Sequence, residues 1–319
     1  MGRKTMGENI SFYSKTFYKY RPLNEFTRQI FIQGTFWFSS PPKLNDPLDM
    51  RIPLDWKCND EEVLDFLLSK YHSGIDSSAI CERIVQFQNS FSRTPSDEET
   101  MALCVRDKGL RLMALVLRAQ QLLQSGVPRE RLFVCLGLNK PAIRDAIKSD
   151  LRAGIRLFYT HVSTAGVLSL SEVRDHPLMW SHYADNHRGI CIGITEALLV
   201  YRGQSFGPNP VSYVIQPPKV ELATLFSKDP KVFWNVNRTL LCTKSQHWEY
   251  EREWRFVVND GDKAYRIPGK ICEVIFGAKC LQTERDEIIK LCHGRFSPHF
   301  FEIQLDENSW QPAVVPLAI

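Results

Sequence analysis

HWEYEREWRF, residues 247–256, decides how the second half of the chain is read. Trp248, Tyr250, Arg252, Trp254 and Phe256 fall on one phase and Glu249, Glu251, Glu253 and Arg255 on the other, which is the two-residue period of a strand. The expected strand turns a mostly aromatic face inward and carries three carboxylates and a guanidinium on the other. Glu251 and Glu253 then point the same way, about 7 Å apart from the strand rise, and can address one bound molecule together. Taken alone, such a face is more often a solvated rim on which Arg255 neutralises a glutamate.

Working outward, GICIGI (189–194), VSYVI (211–215), CEVIFG (272–277) and FFEIQL (300–305) are further strand candidates separated by turn signals, and Thr283–His293 is an amphipathic helix. Near the N-terminus, Phe17–Tyr20 reads as a strand. A helix capped by Asn24, with Phe26, Ile30 and Phe31 at helical spacing, ends at Gly34, and Thr35–Ser39 forms the next strand. Between these regions the pattern is helical. Asn59 with Glu62 and Ser96 with Glu99 form capping boxes, the second opening a run from Met101 to Leu123, and Asn139 with Pro141 opens a helix expected to end at Gly154. Grouped rather than alternating helices indicate an α+β fold with a mixed or antiparallel β core. The core is expected in residues 1–57 and 155–319, with 58–154 a helical insertion that serves as a partner surface or a lid.

The composition of the 319 residues is globular, 44% hydrophobic and 24% charged. The net charge of +4 arises from 40 basic and 36 acidic residues dispersed along the chain, so no phosphate-tracking surface is indicated and nucleic acid stays open without being implied. No apolar run approaches the roughly 20 residues of a membrane span, and the first residues lack the apolar segment of a secretory signal, which makes the cytoplasm the default expectation. Nine cysteines contain no CxxC, so no structural zinc is expected. The absence of a P-loop, a GxGxxG, a GxSxG and an HExxH removes support for Walker-type hydrolysis, Rossmann redox chemistry, α/β-hydrolases and zincins.

Two other stretches carry polar groups. HPLMWSHYADNHRGICIGI (176–194) holds His176, His182 and His187 without the i, i+4 spacing of a helical metal pair; Trp180 and Tyr183 read as core aromatics, with His182 and Tyr183 also fit for a pocket wall. In SSPPKLNDPLD (39–49), Asn45 and Asp46 before Pro47 form a turn, on a loop of the kind that mounts binding groups.

KYRPL, FWFSSPPKLNDPLD, LMWSHYADNHRGICIGI, TKSQHWEYEREWRF and CEVIFGAKC, in that order, resemble the bacterial family labelled domain of unknown function 2971. The likeness covers the first fifty residues and most of the chain after residue 165, and the family's name supplies no reaction. An arginine on the first strand, a strand ending in serines and a late E-x-E strand resemble, more distantly, the ADP-ribosyltransferases. That resemblance implies a split sheet and NAD as the bound dinucleotide. It places Arg21 on the phosphate or ribose, Ser39 and Ser40 at the nicotinamide ribose, Phe38, Trp180 or Tyr183 stacked on a ring, and His182 in the wall. Glu253 would be the catalytic glutamate and Glu251 would lie nearer the acceptor, a nucleic acid or a protein; a role in stress or phage defence follows by analogy alone. A carboxylate beside a ribose that gains positive charge as its glycosidic bond breaks would stabilise that charge. Two alternatives remain: a metal-dependent nuclease built on Asp46, Asp49, Glu251 and Glu253, and a non-catalytic module in which Arg21, Asn45, Asp46, Lys244, Glu251, Glu253 and Arg255 form a buried network.

Overall fold

The structure, a computed structural model, describes residues 15–50, 63–65, 67–68, 77–92, 96–107, 110–218 and 230–318. It divides into two compact units: Met1–Arg51, Ser163–Pro217 and Leu241–Ile319 form one, and Ile52–Val162 with Pro218–Leu240 form the other.

The first unit is α+β. Its mixed sheet has eight strands: β1 (Phe17–Arg21), β3 (Gly166–Ser171), β4 (Ile190–Thr195), β7 (Asn209–Pro210), β10 (Glu253–Val258), β12 (Lys270–Phe276), β13 (His299–Gln304) and β14 (Ala313–Pro316). They lie in the order β14-β13-β12-β4-β1-β3-β10-β7, antiparallel throughout except for the parallel pair β12–β13. Alternation along the strands builds a core on each face. Phe17, Ile192, Ile194, Phe256, Val274 and Phe276 pack on one side with Ile30 and Phe31 of α1 (Glu25–Gln33). Tyr18, Tyr20, Cys191 and Ile275 face the other side, where Met179 and Trp180 of a short helix, Pro177–Tyr183, cover them. The remaining strands are β2 (Thr35–Phe38), β5 (Leu199–Tyr201), β6 (Gln204–Phe206), β8 (Ser212–Val214), β9 (Thr243–Ser245) and β11 (Lys263–Arg266), which pair as β2–β11, β5–β6 and β8–β9.

Local signals are met where the residues are described. Asn24 accepts the Thr27 amide and Gly34, at φ 70°, closes α1 in the left-handed region, where the missing Cβ removes the usual penalty. The Ser96–Glu99 capping box is formed, whereas Asn59 and Glu62 lie outside the described residues. The second unit holds helices α2 (Ser77–Gln88), α3 (Asp97–Arg106), α4 (Arg111–Gln124), α5 (Arg129–Cys135) and α6 (Pro141–Ser163) around Leu115, Ala119, Leu132, Leu138, Ile147 and Leu151.

Two helical expectations are corrected. The run from Met101 to Leu123 breaks, because the Asp107 carboxylate takes the Leu110 amide at 3.0 Å and starts a new helix. The later helix passes Gly154 and reaches Ser163, since one glycine costs a 23-residue helix only about 1 kcal/mol.

The opening stretch is also corrected. Gln246–Glu251 is a 3-10 turn, Arg252 sits in the left-handed region at φ 42°, and only from Glu253 does the chain become a strand. Apart from Glu249, which is exposed, the charged face is buried rather than solvated: Glu253 and Arg255 share the side of Tyr18 and Tyr20, while Trp254 and Phe256 pack into the opposite core.

Candidate active site

β1 meets β3 at a single register pair, Tyr18–Ser171, although β3 continues along β10 from Ser171 to Gly166. Where β1 leaves β3, the Lys19 ammonium takes the Ser169 carbonyl at 2.8 Å in place of a ladder bond. A cavity of about 120 Å³ lies at this opening, lined by Tyr18, Lys19 and Tyr20 of β1, Ser169 to Ser171 of β3, Leu44, Asn45 and Asp49 of the loop after β2, and Met179, Tyr183, Lys244, Glu251 and Glu253. This is room for several waters or one small ring, well below the roughly 300–1,000 Å³ that enclose a whole drug-sized ligand.

The floor of the cavity is an ion network. Arg255, fully buried, donates through Nε and Nη2 to Glu253 at 2.7 and 2.8 Å, through Nη1 and Nη2 to Asp49 at 3.1 and 2.6 Å, and through Nη1 to the Leu241 carbonyl at 2.7 Å. Lys244 bridges the two glutamates, 2.6 Å from Glu251 and 3.2 Å from Glu253, and lies 3.8 Å from Asp49. Tyr183 donates to the other oxygen of Glu251 at 2.6 Å, and Asn45 donates to the Tyr183 oxygen at 2.8 Å. Backbone bonds fix both glutamates: Ser171 Oγ donates to the Glu251 carbonyl at 2.6 Å, and the Glu253 amide donates to the Tyr213 oxygen at 2.7 Å.

The two carboxylates are thereby driven apart. Burial alone would raise both. At Glu253 the Arg255 guanidinium, with Lys244 and the Ser169 hydroxyl, outweighs burial and holds the carboxyl far below its ordinary value. At Glu251 burial and the Glu253 charge outweigh Lys244, and the carboxyl is raised. Burial, with Arg21 adding to it, pushes Lys19 down to about 8. Lys244 is raised because the two glutamates overcome its burial. The two carboxylates are thus displaced in opposite directions, Glu253 toward the anion and Glu251 toward a higher proton affinity, the pattern by which paired carboxylates take different roles.

Among the residues singled out in the sequence, Asp49, Glu251, Glu253, Lys244, Tyr183 and Asn45 converge on the cavity and Arg255 supports it from behind. The others lie elsewhere. Arg21 Nε reaches Thr27 Oγ1 at 3.3 Å, and Arg21 does not line the cavity. Phe38 is fully buried against Tyr265, and Trp180, equally buried, spends its indole N–H on the Arg174 carbonyl, so neither presents a free face to a ring. Ser39 bridges Val167 through its backbone, and Ser40 bonds the Asp262 carboxylate. His182 is exposed beside the Tyr183 ring. Asp46 accepts the Leu48 amide in the expected turn.

The carboxylates of the nuclease alternative are therefore not gathered for a cation. Asp46 is in its turn, Lys244 and Arg255 occupy the space between the rest, and among the described residues no group of three or more His, Cys, Asp or Glu is arranged to hold a metal. Lys19, Ser169 and Ser171 were missed. Lys19 lies within the quoted KYRPL beside Arg21, and a lysine between two buried tyrosines was the available signal.

Fold and site together define an α+β protein whose buried ion network opens on one side into a small polar cavity. Residues 179–256, which include Tyr183, Lys244, Glu251, Glu253 and Arg255, match the family described as Protein of unknown function (DUF2971), in agreement with the likeness of the quoted stretches. No curated protein and no solved structure matches the chain. Among the described residues no helix is long and apolar enough to cross a membrane.

Proposed function

We propose that the chain is a glycosyl-transferring enzyme of the ADP-ribosyltransferase type that breaks the bond between nicotinamide and ribose in NAD, with Glu253 as the fixed anion and Glu251 as the proton-exchanging carboxylate. The observation that carries this reading is geometric: two buried carboxylates share Lys244 at one cavity wall, and only Glu253 is also clamped by Arg255. Loss of neutral nicotinamide leaves positive charge on the ribose. A carboxylate that cannot be protonated stabilises that charge, while a second one with a raised pKa accepts the proton that an attacking hydroxyl, amine or water gives up.

The fit to the dinucleotide is partial. The carboxylate pair suits the reacting end, and the cavity holds one ring or its ribose. The groups that the resemblance would place on the rest of NAD, Arg21, Ser39 and Ser40, are bonded elsewhere, so the reading rests on the reacting end alone. The acceptor on this reading is a macromolecule.

The experiment is nicotinamide release from NAD by the purified chain, with and without cell extract, comparing wild type with Glu251→Gln and Tyr183→Phe. Release by wild type that is lost in Glu251→Gln at an unchanged melting temperature supports the reading. No release under any condition overturns it and favours the second reading, a non-catalytic module stabilised by its ion network, for which the full burial of Arg255 between Asp49 and Glu253 speaks.

A further inference from the structure

The helical unit contains a second, larger cavity of about 1100 Å³, at the upper end of the range that encloses a small-molecule ligand, roughly 300–1,000 Å³. It is formed by α2, α3, α4, the turn after α5 and the start of α6. Ile84, Met101, Val105, Leu115, Leu136 and Ile143 make much of its wall apolar. The charged residues on that wall are of one sign: Arg106, Arg111, Arg118 and Lys140, with no aspartate or glutamate among the described lining residues.

These cations are not equivalent. Arg111 is committed to the scaffold, paired with Asp150 at 2.6 Å and bonded to the Val105 and Arg106 carbonyls. Arg106, Arg118 and Lys140 are exposed and form no ion pair among the described residues. A separate observation comes from inside the wall. Thr100 is 2% exposed, lines the same cavity, and its hydroxyl has no hydrogen-bond partner among the described residues, a state that costs free energy when a buried polar group is left so.

We propose that this cavity binds an amphipathic anion, a single hydrocarbon chain ending in a carboxylate, with the chain on the apolar wall and the head held by Arg106, Arg118 and Lys140. An apolar wall alone would take any hydrocarbon. One-signed, unpaired cations at the same wall select an anionic head and disfavour a cationic one, because only the anion gains charge-assisted hydrogen bonds there.

The test is calorimetric titration of the full chain with dodecanoate below its micelle concentration, beside dodecanol and dodecylammonium as probes of the head group. Saturable binding of one dodecanoate is expected, about tenfold or more tighter than either control. Arg118→Gln combined with Lys140→Gln should weaken dodecanoate by about tenfold and leave dodecanol unchanged. Ala146→Phe, which places a ring in the cavity from α6, should weaken binding of both while the circular dichroism stays that of wild type. No saturable dodecanoate binding, equal affinity for dodecanol, or binding indifferent to Ala146→Phe in a folded variant would each overturn the proposal. The experiment is independent of nicotinamide release and can succeed or fail without reference to it.

Discussion

Replacing Arg255 by methionine tests the network most directly. Methionine keeps an unbranched stem in the space of the guanidinium and removes its charge and its five donor contacts to Glu253, Asp49 and the Leu241 carbonyl. Glu253 keeps Lys244 at 3.2 Å, but among the described residues Asp49 is left with only the same ammonium at 3.8 Å. Removing one partner of a buried pair costs about 3–5 kcal/mol, most of it the uncompensated charge left behind. For a folding unit of roughly 150–250 residues each kcal/mol moves the melting temperature by about 2–4 °C, so the variant should melt about 6–20 °C lower by scanning calorimetry. Its signature is a reversal of sign at Asp49. In wild type Asp49→Asn destabilises, because it breaks a bidentate pair; in the Arg255→Met background it stabilises, because it removes an orphaned charge. A loss below about 1 kcal/mol, or Asp49→Asn costing the same in both backgrounds, would refute the reasoning.

Three further outcomes are expected. The Glu253 carboxyl is held below its ordinary 4.5, so the unfolded chain binds that proton more tightly; its stabilisation is complete above the unfolded value and is lost as pH falls toward the folded one. Glu251 is held above 4.5, so its contribution is greatest at low pH and declines as pH rises through the folded value. Denaturant titrations from about pH 3 to 7 should therefore show the gap between wild type and Glu253→Gln widening with pH and that between wild type and Glu251→Gln shrinking; gaps that move together contradict the assignment. In a carbon-13 titration of the lysine side chains Lys19 should change near pH 8, identified by its loss in Lys19→Met, and a midpoint at the ordinary lysine value would show that the cavity does not desolvate it. Gly189→Ala should destabilise by about 1–3 kcal/mol, because a Cβ there would run into the Arg21 carbonyl oxygen where β4 begins beside β1; an unchanged denaturation midpoint would mean the two strands separate freely.

How far the sequence carried these features depends on the range over which each is decided. Asn24, Gly34 and the Ser96–Glu99 box were legible because a cap is settled within four residues. From Glu253 onward the strand phase was legible too, with Glu253 and Arg255 on one face and Phe256 on the other. What the period could not reveal was that 247–251 is a turn. Alternating aromatics and charges satisfy a strand template in any conformation, and the turn is held by distant groups: Ser171 takes up the Glu251 carbonyl, and Tyr183 and Lys244 hold its carboxylate. Nor could it reveal burial, since the partner that makes a buried Arg255 tolerable, Asp49, lies 206 residues away in sequence. Arg21 misled for a related reason. Its position on the first strand was read correctly, but strand alternation gives it the opposite face from Tyr20, while Lys19 enters the cavity only because β1 parts from β3.

The network and the cavity are consequently one construction seen from two ends. Glu251 is raised beside a cation because its burial, aided by the Glu253 charge, outweighs Lys244, which has two claimants. Arg255 decides between them: by clamping Glu253 with two of its nitrogens it keeps that carboxylate ionised, and the ionised Glu253 is one of the charges that raise Glu251. The left-handed Arg252 between the glutamates takes Glu251 out of the strand that begins at Glu253, so that Glu251 meets Tyr183 while Glu253, on the same cavity, is held by Arg255.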